Sequence, residues 1–196
     1  MTVNYESGRL VLKSWLLLHR VRDALRICED QIYSEYELTT EQCAVLSVMK
    51  YLGDSVRVTD LALGLERSIN SVSMIVDRMV KVGLLRRVRD KSDRRVVRVF
   101  ITNKGENALK PATLAGWKFI QKILSPLSDE DRRTLVSLLE MVKYQALAYL
   151  DPGVDRKELK RKDITNQPDL MERLVQYALP STPQAKRQGG KKKKTR

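Results

Sequence analysis

Histidine and cysteine are scarce in this chain. Its 196 residues include one histidine, His19, and two cysteines, Cys28 and Cys43. One histidine excludes a multi-histidine metal centre, and two cysteines exclude a disulfide scaffold or a cysteine-rich metal site. No apolar run approaches the roughly 18–20 residues that a membrane span needs; near the start the longest is Trp15 to Leu18. The first residues are polar and that run lacks a small-residue cleavage site, so no signal peptide is expected. A glycine-rich phosphate loop and a nucleophile motif are also missing, which argues against an enzyme. These absences predict a soluble, cytoplasmic protein with no metal, no cofactor and no membrane partner.

Positive charge is what the chain has in excess. Lys+Arg number 37 against 24 Asp+Glu, for a net charge of +13. Hydrophobic content of 42% is too high for a wholly disordered chain. The charge is focused in two places. Residues 67–98 hold 10 basic and 3 acidic side chains, and residues 151–196 hold 13 and 6; the rest is close to neutral. A focused patch implies a polyanionic partner more strongly than a high overall charge does. For the tail, a solvated run of like charge is an equally good reading.

Periodicity places the helices. Leu10, Ser14, Leu17, Val21, Ala24, Leu25, Cys28 and Ile32 recur at three and four residues and predict a long helix over 9–33. Its stripe suits packing against another helix, including one from a second subunit. Thr39 with Gln42 reads as a capping box that opens a second helix, ending at Gly53. Val56 to Val58 is a short strand candidate, and Thr59 opens a third helix. Ser68 caps a fourth, whose inner face is Val72, Ile75, Val76, Met79 and Val80 and whose stop is Gly83. The period then changes to two. Leu84–Arg89 and Arg95–Thr102 read as strands around the turn Asp90 to Arg94. Thr102 caps a helix to about Leu124, with Pro111 expected to bend or weaken it. Ser128 caps a last helix with Leu135, Leu138, Leu139, Val142 and Leu147 as its apolar face, and Asp151-Pro152-Gly153 ends the compact part. Residues 168–179 read as a short amphipathic helix, and the end from Pro180 as disordered.

Two helices, a tight connection and a basic hairpin form a winged helix-turn-helix pattern. A helix entering the major groove wants small polar groups at its N-terminal end, so that base edges are within reach. Asn70, Ser71 and Ser73 meet that need, although capping or backbone bonding is an alternative use for them. A wing wants cationic residues at its tip, and Arg94 and Arg95 supply them. Arg86, Arg87, Arg89 and Arg98 read either as phosphate contacts or as a solvated strand face. Cys28 and Cys43 lie on apolar stripes and read as small core residues. His19, near Trp15 and Arg20, reads as a packing or surface residue, with a ligand role the minor alternative.

The order of three stretches resembles the MarR (multiple antibiotic resistance regulator) family over roughly residues 10–150. These are Leu38-Thr39-Thr40-Glu41-Gln42, the run from Val72 to Leu85, and Asp93-Arg94-Arg95 followed by Ile101-Thr102-Asn103-Lys104-Gly105. The wing signature, Asp-x-Arg then Leu/Ile-Thr-x-x-Gly, is the most specific. The resemblance implies a mainly α fold with a small β-wing. Residues 1–36 and 102–150 would form a helical dimerisation region, 37–101 the DNA-binding region, and 151–196 a partly disordered basic tail. It also implies a homodimer on a pseudo-palindromic operator in double-stranded DNA, commonly a repressor released by a small-molecule effector. Asn70, Ser71, Ser73, Met74 and Arg78 would face the major groove. Asp93 would orient Arg95 into the minor groove, beside Arg94. Three features depart from the family: Pro111, the long lysine-rich tail, and cysteines that match no peroxide-sensing position. The competing reading is a basic protein that binds RNA or DNA without sequence preference.

Overall fold

The structure is a computed structural model describing residues 5–53, 55–90 and 96–153, with residues 155, 157, 158, 160, 172, 173, 176 and 177 beyond them. Helix α1 spans Tyr5–Ser34, α2 Thr40–Leu52, α3 Val58–Gly64, α4 Ile69–Lys81, α5 Asn103–Leu124 and α6 Asp129–Leu150. Strands β1 (Val56–Arg57), β2 (Leu85–Arg89) and β3 (Val97–Ile101) form an antiparallel sheet in the order β1-β3-β2. The fold is mainly helical with a small wing, as the sequence predicts.

Helix starts follow their caps. Thr39 Oγ1 accepts the Gln42 N–H at 3.2 Å, and Gln42 Oε1 accepts the Thr39 N–H at 2.9 Å. Ser68 caps α4 through the Ser71 N–H, Thr102 caps α5 through the Gly105 N–H, and Ser128 exchanges bonds with Asp131. Each satisfies donors that the first helical turn leaves without partners. Helix α3 differs from expectation. It opens at Val58, because Asp60 accepts from both the backbone and the guanidinium of Arg57, so Thr59 lies inside the first turn. Helix α5 runs continuously through Pro111.

The core lies in the central module. Leu46, Met49, Leu61, Val72, Val76, Met79, Leu85, Val99 and Leu109 are buried and belong to one cluster. They come from α2, α3, α4, the wing and α5, so the recognition helix and the wing share one floor. The ends of the chain's fold are different. Leu10, Trp15, Leu17 and Val21 of α1 are exposed, as are Leu138, Leu139 and Val142 of α6; Tyr144 is the buried residue of α6. Both predicted apolar stripes therefore remain largely uncovered by the described residues. None of the described helices is long and apolar enough to cross a membrane.

Candidate nucleic-acid interface

Helix α4 is two-faced. Val72, Ile75, Val76 and Met79 are buried, while Asn70, Ser71, Met74 and Arg78 are exposed and Ser73 is half-buried. Ser71 gives its backbone N–H to the Ser68 cap, which leaves the Ser71 hydroxyl on the surface side of the first turn. Met74 is 57% exposed, a large apolar side chain held out of a core that lies one turn away. The N-terminal turn of α4 thus combines exposed polar groups with the positive end of the helix dipole, a setting that favours anions.

The exit from α4 explains the Thr-x-x-Gly motif. Gly83 adopts φ of 78°, which lets the chain turn straight from α4 into β2. Thr102 Oγ1 donates within reach of the carbonyls of Gly83 (2.7 Å) and Leu84 (3.1 Å) while accepting the Gly105 N–H. A Cβ at Gly105 would lie 2.5 Å from the Leu84 carbonyl oxygen. Lys104 Nζ adds a bond to the Val82 carbonyl at 3.2 Å. The start of α5 is therefore riveted to the end of the recognition helix, and only glycine permits the approach.

The strand arginines have roles that sequence alone misses. Arg87 pairs with Asp77 of α4 at 2.6 Å, joining the wing to the recognition helix. Arg98 pairs with Asp90 at the loop end of the hairpin. Arg86 lies over the Phe100 ring, 4.3 Å from its centroid. Of the four, Arg89 is the one that matches a simple exposed strand position. Three of these arginines thus have partners within the wing and α4, while Arg86, Arg87 and Arg89 keep exposed positions on β2. Asp93, Arg94 and Arg95, the predicted tip, lie outside the described residues.

The remaining candidates separate by position. Cys43 is buried, with its thiol pushed up to about 11 by burial, partly offset by hydrogen bonds with Ser47 and Tyr33. Cys28 is half-buried on α1. His19 packs edge-on against Trp15, with ring centroids 4.6 Å apart on the exposed part of α1. A cavity of about 400 Å³ opens between α1, α2 and α4, with Arg26, Asp30, Gln42, Ile75 and Arg78 in its wall.

Comparison with known proteins agrees with this geometry. The family model described as transcriptional regulator SarA/Rot matches residues 28–111, which include α2, the helix-turn-helix and the wing. The uncharacterized HTH-type transcriptional regulator YpoP of Bacillus subtilis (strain 168) is 28% identical over 122 residues, covering 62% of this chain and 85% of YpoP. Among solved structures, the organohalide sensing RdhR-CbdbA1625 transcriptional regulator in its 2,4-dichlorophenol bound form superposes with a TM-score of 0.68 at 21% identity. That match covers 76% of this chain and 88% of the other. A mutant MarR from E. coli complexed with operator DNA gives a TM-score of 0.61 at 22% identity, covering 67% and 94%. The two structures speak to the fold; the family model and YpoP carry the classification. The chain is a winged helix-turn-helix transcriptional regulator. Over residues 28–111 it is similar to the SarA/Rot regulators, and its fold is that of the MarR structures.

Proposed function

We propose that the protein acts as a homodimer on a pseudo-palindromic operator and represses transcription by occupying it. The observation that carries this reading is the α4 surface: Asn70, Ser71, Met74 and Arg78 are presented on one side of a helix whose other side is locked into the core. In this reading Asn70, Ser71, Ser73, Met74 and Arg78 meet base edges and phosphates in the major groove, and Arg94 and Arg95 reach from the wing tip to the minor groove. Asp93 orients Arg95. Two copies present two such helices, about one DNA turn apart in proteins of this architecture. The uncovered apolar faces of α1 and α6 support the dimer, since large exposed apolar patches mark interaction sites. Residues 1–36 and 102–150 then form the dimerisation region and 37–101 the DNA-binding region, in a cytoplasmic protein.

A small effector fits the same scheme. The cavity between α1, α2 and α4 shares Arg78 with the DNA-facing surface. A ligand held there would compete with DNA for that guanidinium and so release the operator. The test is a pair of variants. Arg95→Ala and Arg78→Ala should each weaken specific duplex binding by about 1–3 kcal/mol in a folded protein. Unchanged affinity in both would remove the proposed interface.

A further inference from the structure

An acid stands in the middle of the α4 surface proposed to meet DNA. Asp77 follows Asn70 by seven residues, close to two full helical turns, so both project from the same side of α4. Met74 and Lys81 flank Asp77 at three and four residues, and all four are exposed. Val72, Val76 and Met79 occupy the opposite, buried side. A bare carboxylate among these groups would repel phosphate. It also runs against the local composition, since residues 67–98 hold 10 basic and 3 acidic side chains.

The carboxylate is not bare. Gly83 turns the chain back from α4 into β2, and Arg87 Nη1 then lies 2.6 Å from Asp77 Oδ1. The side chains keep 32% (Arg87) and 51% (Asp77) of their exposure. An ion pair so open to water adds little to stability, so its consequence lies at the surface. Arg87 stands opposite Val99 in the ladder, and Val99 is fully buried, so Arg87 is on the side of the sheet that meets α4. Strand alternation returns Arg89 to that same side, roughly 6–7 Å further on. Among the described residues Arg78, Lys81 and Arg89 have no acidic partner. The α4–β2 junction thus offers three open cations and, in Arg87, one whose charge is cancelled.

We propose that Asp77 is a specificity-determining positioning residue: it ties the wing to α4 through Arg87 and withholds that guanidinium from sequence-independent contact with DNA phosphates. This rests on the DNA-binding reading above. Phosphate contacts raise affinity for every duplex alike, whereas base contacts separate one duplex from another. Released from Asp77, Arg87 would add to the first kind. Held by Asp77, it fixes the wing against α4, and that fixed place is useful only when α4 is seated in its groove. Withholding affinity from the wrong duplex at little cost to the right one is one way discrimination is built.

The test is fluorescence anisotropy across a salt series, on a scrambled duplex and on the DNA upstream of the protein's own gene. The proteins are the full chain, Asp77→Asn, and Asp77→Asn combined with Arg87→Gln. On the scrambled duplex Asp77→Asn should steepen the slope of log affinity against log salt by about 0.9 and raise affinity roughly fivefold to tenfold at about 0.1 M salt. The double variant should return to the parent slope. A slope that stays steep in the double variant would mean that Asp77 acts by repelling phosphate, independently of Arg87. One flatter than the parent's would mean that Arg87 touches phosphate even while paired. Either would overturn the proposal, as would an Asp77→Asn slope equal to the parent's. On the upstream duplex the gain from Asp77→Asn should be smaller, because the wing loses its tether, so the preference falls several-fold; an undiminished preference would also overturn it. Asp77→Glu, which keeps the charge for Arg87, should restore the parent slope. Arg89→Gln checks that the duplex reaches this side of β2: it should flatten the slope by about 0.9, and an unchanged slope would overturn the proposal. A merely structural role for the pair would change stability and leave these slopes alone. A parent chain that binds neither duplex, or both equally, would instead overturn the DNA reading on which the proposal depends.

Discussion

Gly105 shows how one residue ties sequence motif to architecture. The pattern Thr-x-x-Gly is visible in the sequence, but its reason is a tertiary contact between the first turn of α5 and the Leu84 carbonyl. Gly105→Ala should therefore lower stability by about 1–3 kcal/mol in chemical denaturation, as overpacking does. A neutral effect would mean that this junction relaxes freely. Cys43 makes a second residue-scale prediction. Buried, and with its thiol held at about 11, it should react far more slowly at neutral pH with a thiol reagent than a free cysteine does. Rapid labelling of Cys43 in the folded protein would contradict its core placement. The polar face of α4 was legible because amphipathic spacing separates Asn70 and Ser71 from Val72 and Val76. The pairings Arg87–Asp77 and Arg98–Asp90 were not. They depend on where the wing folds against α4 and on which residues face across the hairpin, and no local period encodes either.

At the scale of elements, the capped helix starts and the three strands were legible, and the pairing of β1 with β3 was not. Thr39, Ser68, Thr102 and Ser128 announce their helices through local hydrogen-bond chemistry that needs only neighbouring residues. Strand β1 has two residues and exists because Val56 and Arg57 pair with Val99 and Arg98, a partnership far away in sequence. The start of α2 also has a remote support. Asp30 of α1 accepts from the Thr40 hydroxyl at 2.6 Å and from the Thr40 N–H at 3.1 Å. Those bonds hold its carboxyl below the usual carboxylate range, with Arg26 adding to the effect. Asp60 is lowered chiefly by its bond from Arg57. For Glu106, burial pushes upward, but the bonds from Lys50 and Tyr177 and the charge of Lys50 outweigh it. The sign follows: these groups bind protons more readily when the chain is unfolded. Their contribution is complete above the ordinary carboxylate range and is lost as pH falls through it and below. Urea midpoints should stay level from neutral pH to about pH 5 and then drop. Asp30→Ala should cost about 1 kcal/mol at neutral pH and should make the acid drop shallower. An undiminished acid dependence would show that Asp30 does not hold α2.

The whole molecule is a well-packed winged module carried between helices whose apolar faces are bare. Lys143 of α6 reaches Glu66, in the turn before α4, at 2.7 Å, so the two regions are also tied by charge. The stripes on α1 and α6 were legible as periodicity, and what covers them is not encoded in one chain's pattern. In the dimer reading they meet a second copy. A charge placed in the stripe, Val21→Glu or Leu138→Glu, should shift the protein towards monomer in sedimentation analysis and lower its operator affinity together. A monomeric parent protein would contradict the reading outright. The positive charge is likewise divided between the wing region and the tail, and only the first belongs to the recognition surface proposed here. Specificity is therefore the property to measure. Fluorescence anisotropy with the DNA upstream of the protein's own gene, against a scrambled duplex at near-physiological salt, tests it directly. The account predicts a preference of about a thousandfold or more for the upstream duplex. Equal binding to both duplexes, vanishing as salt rises, would contradict it and leave charge alone as the source of affinity.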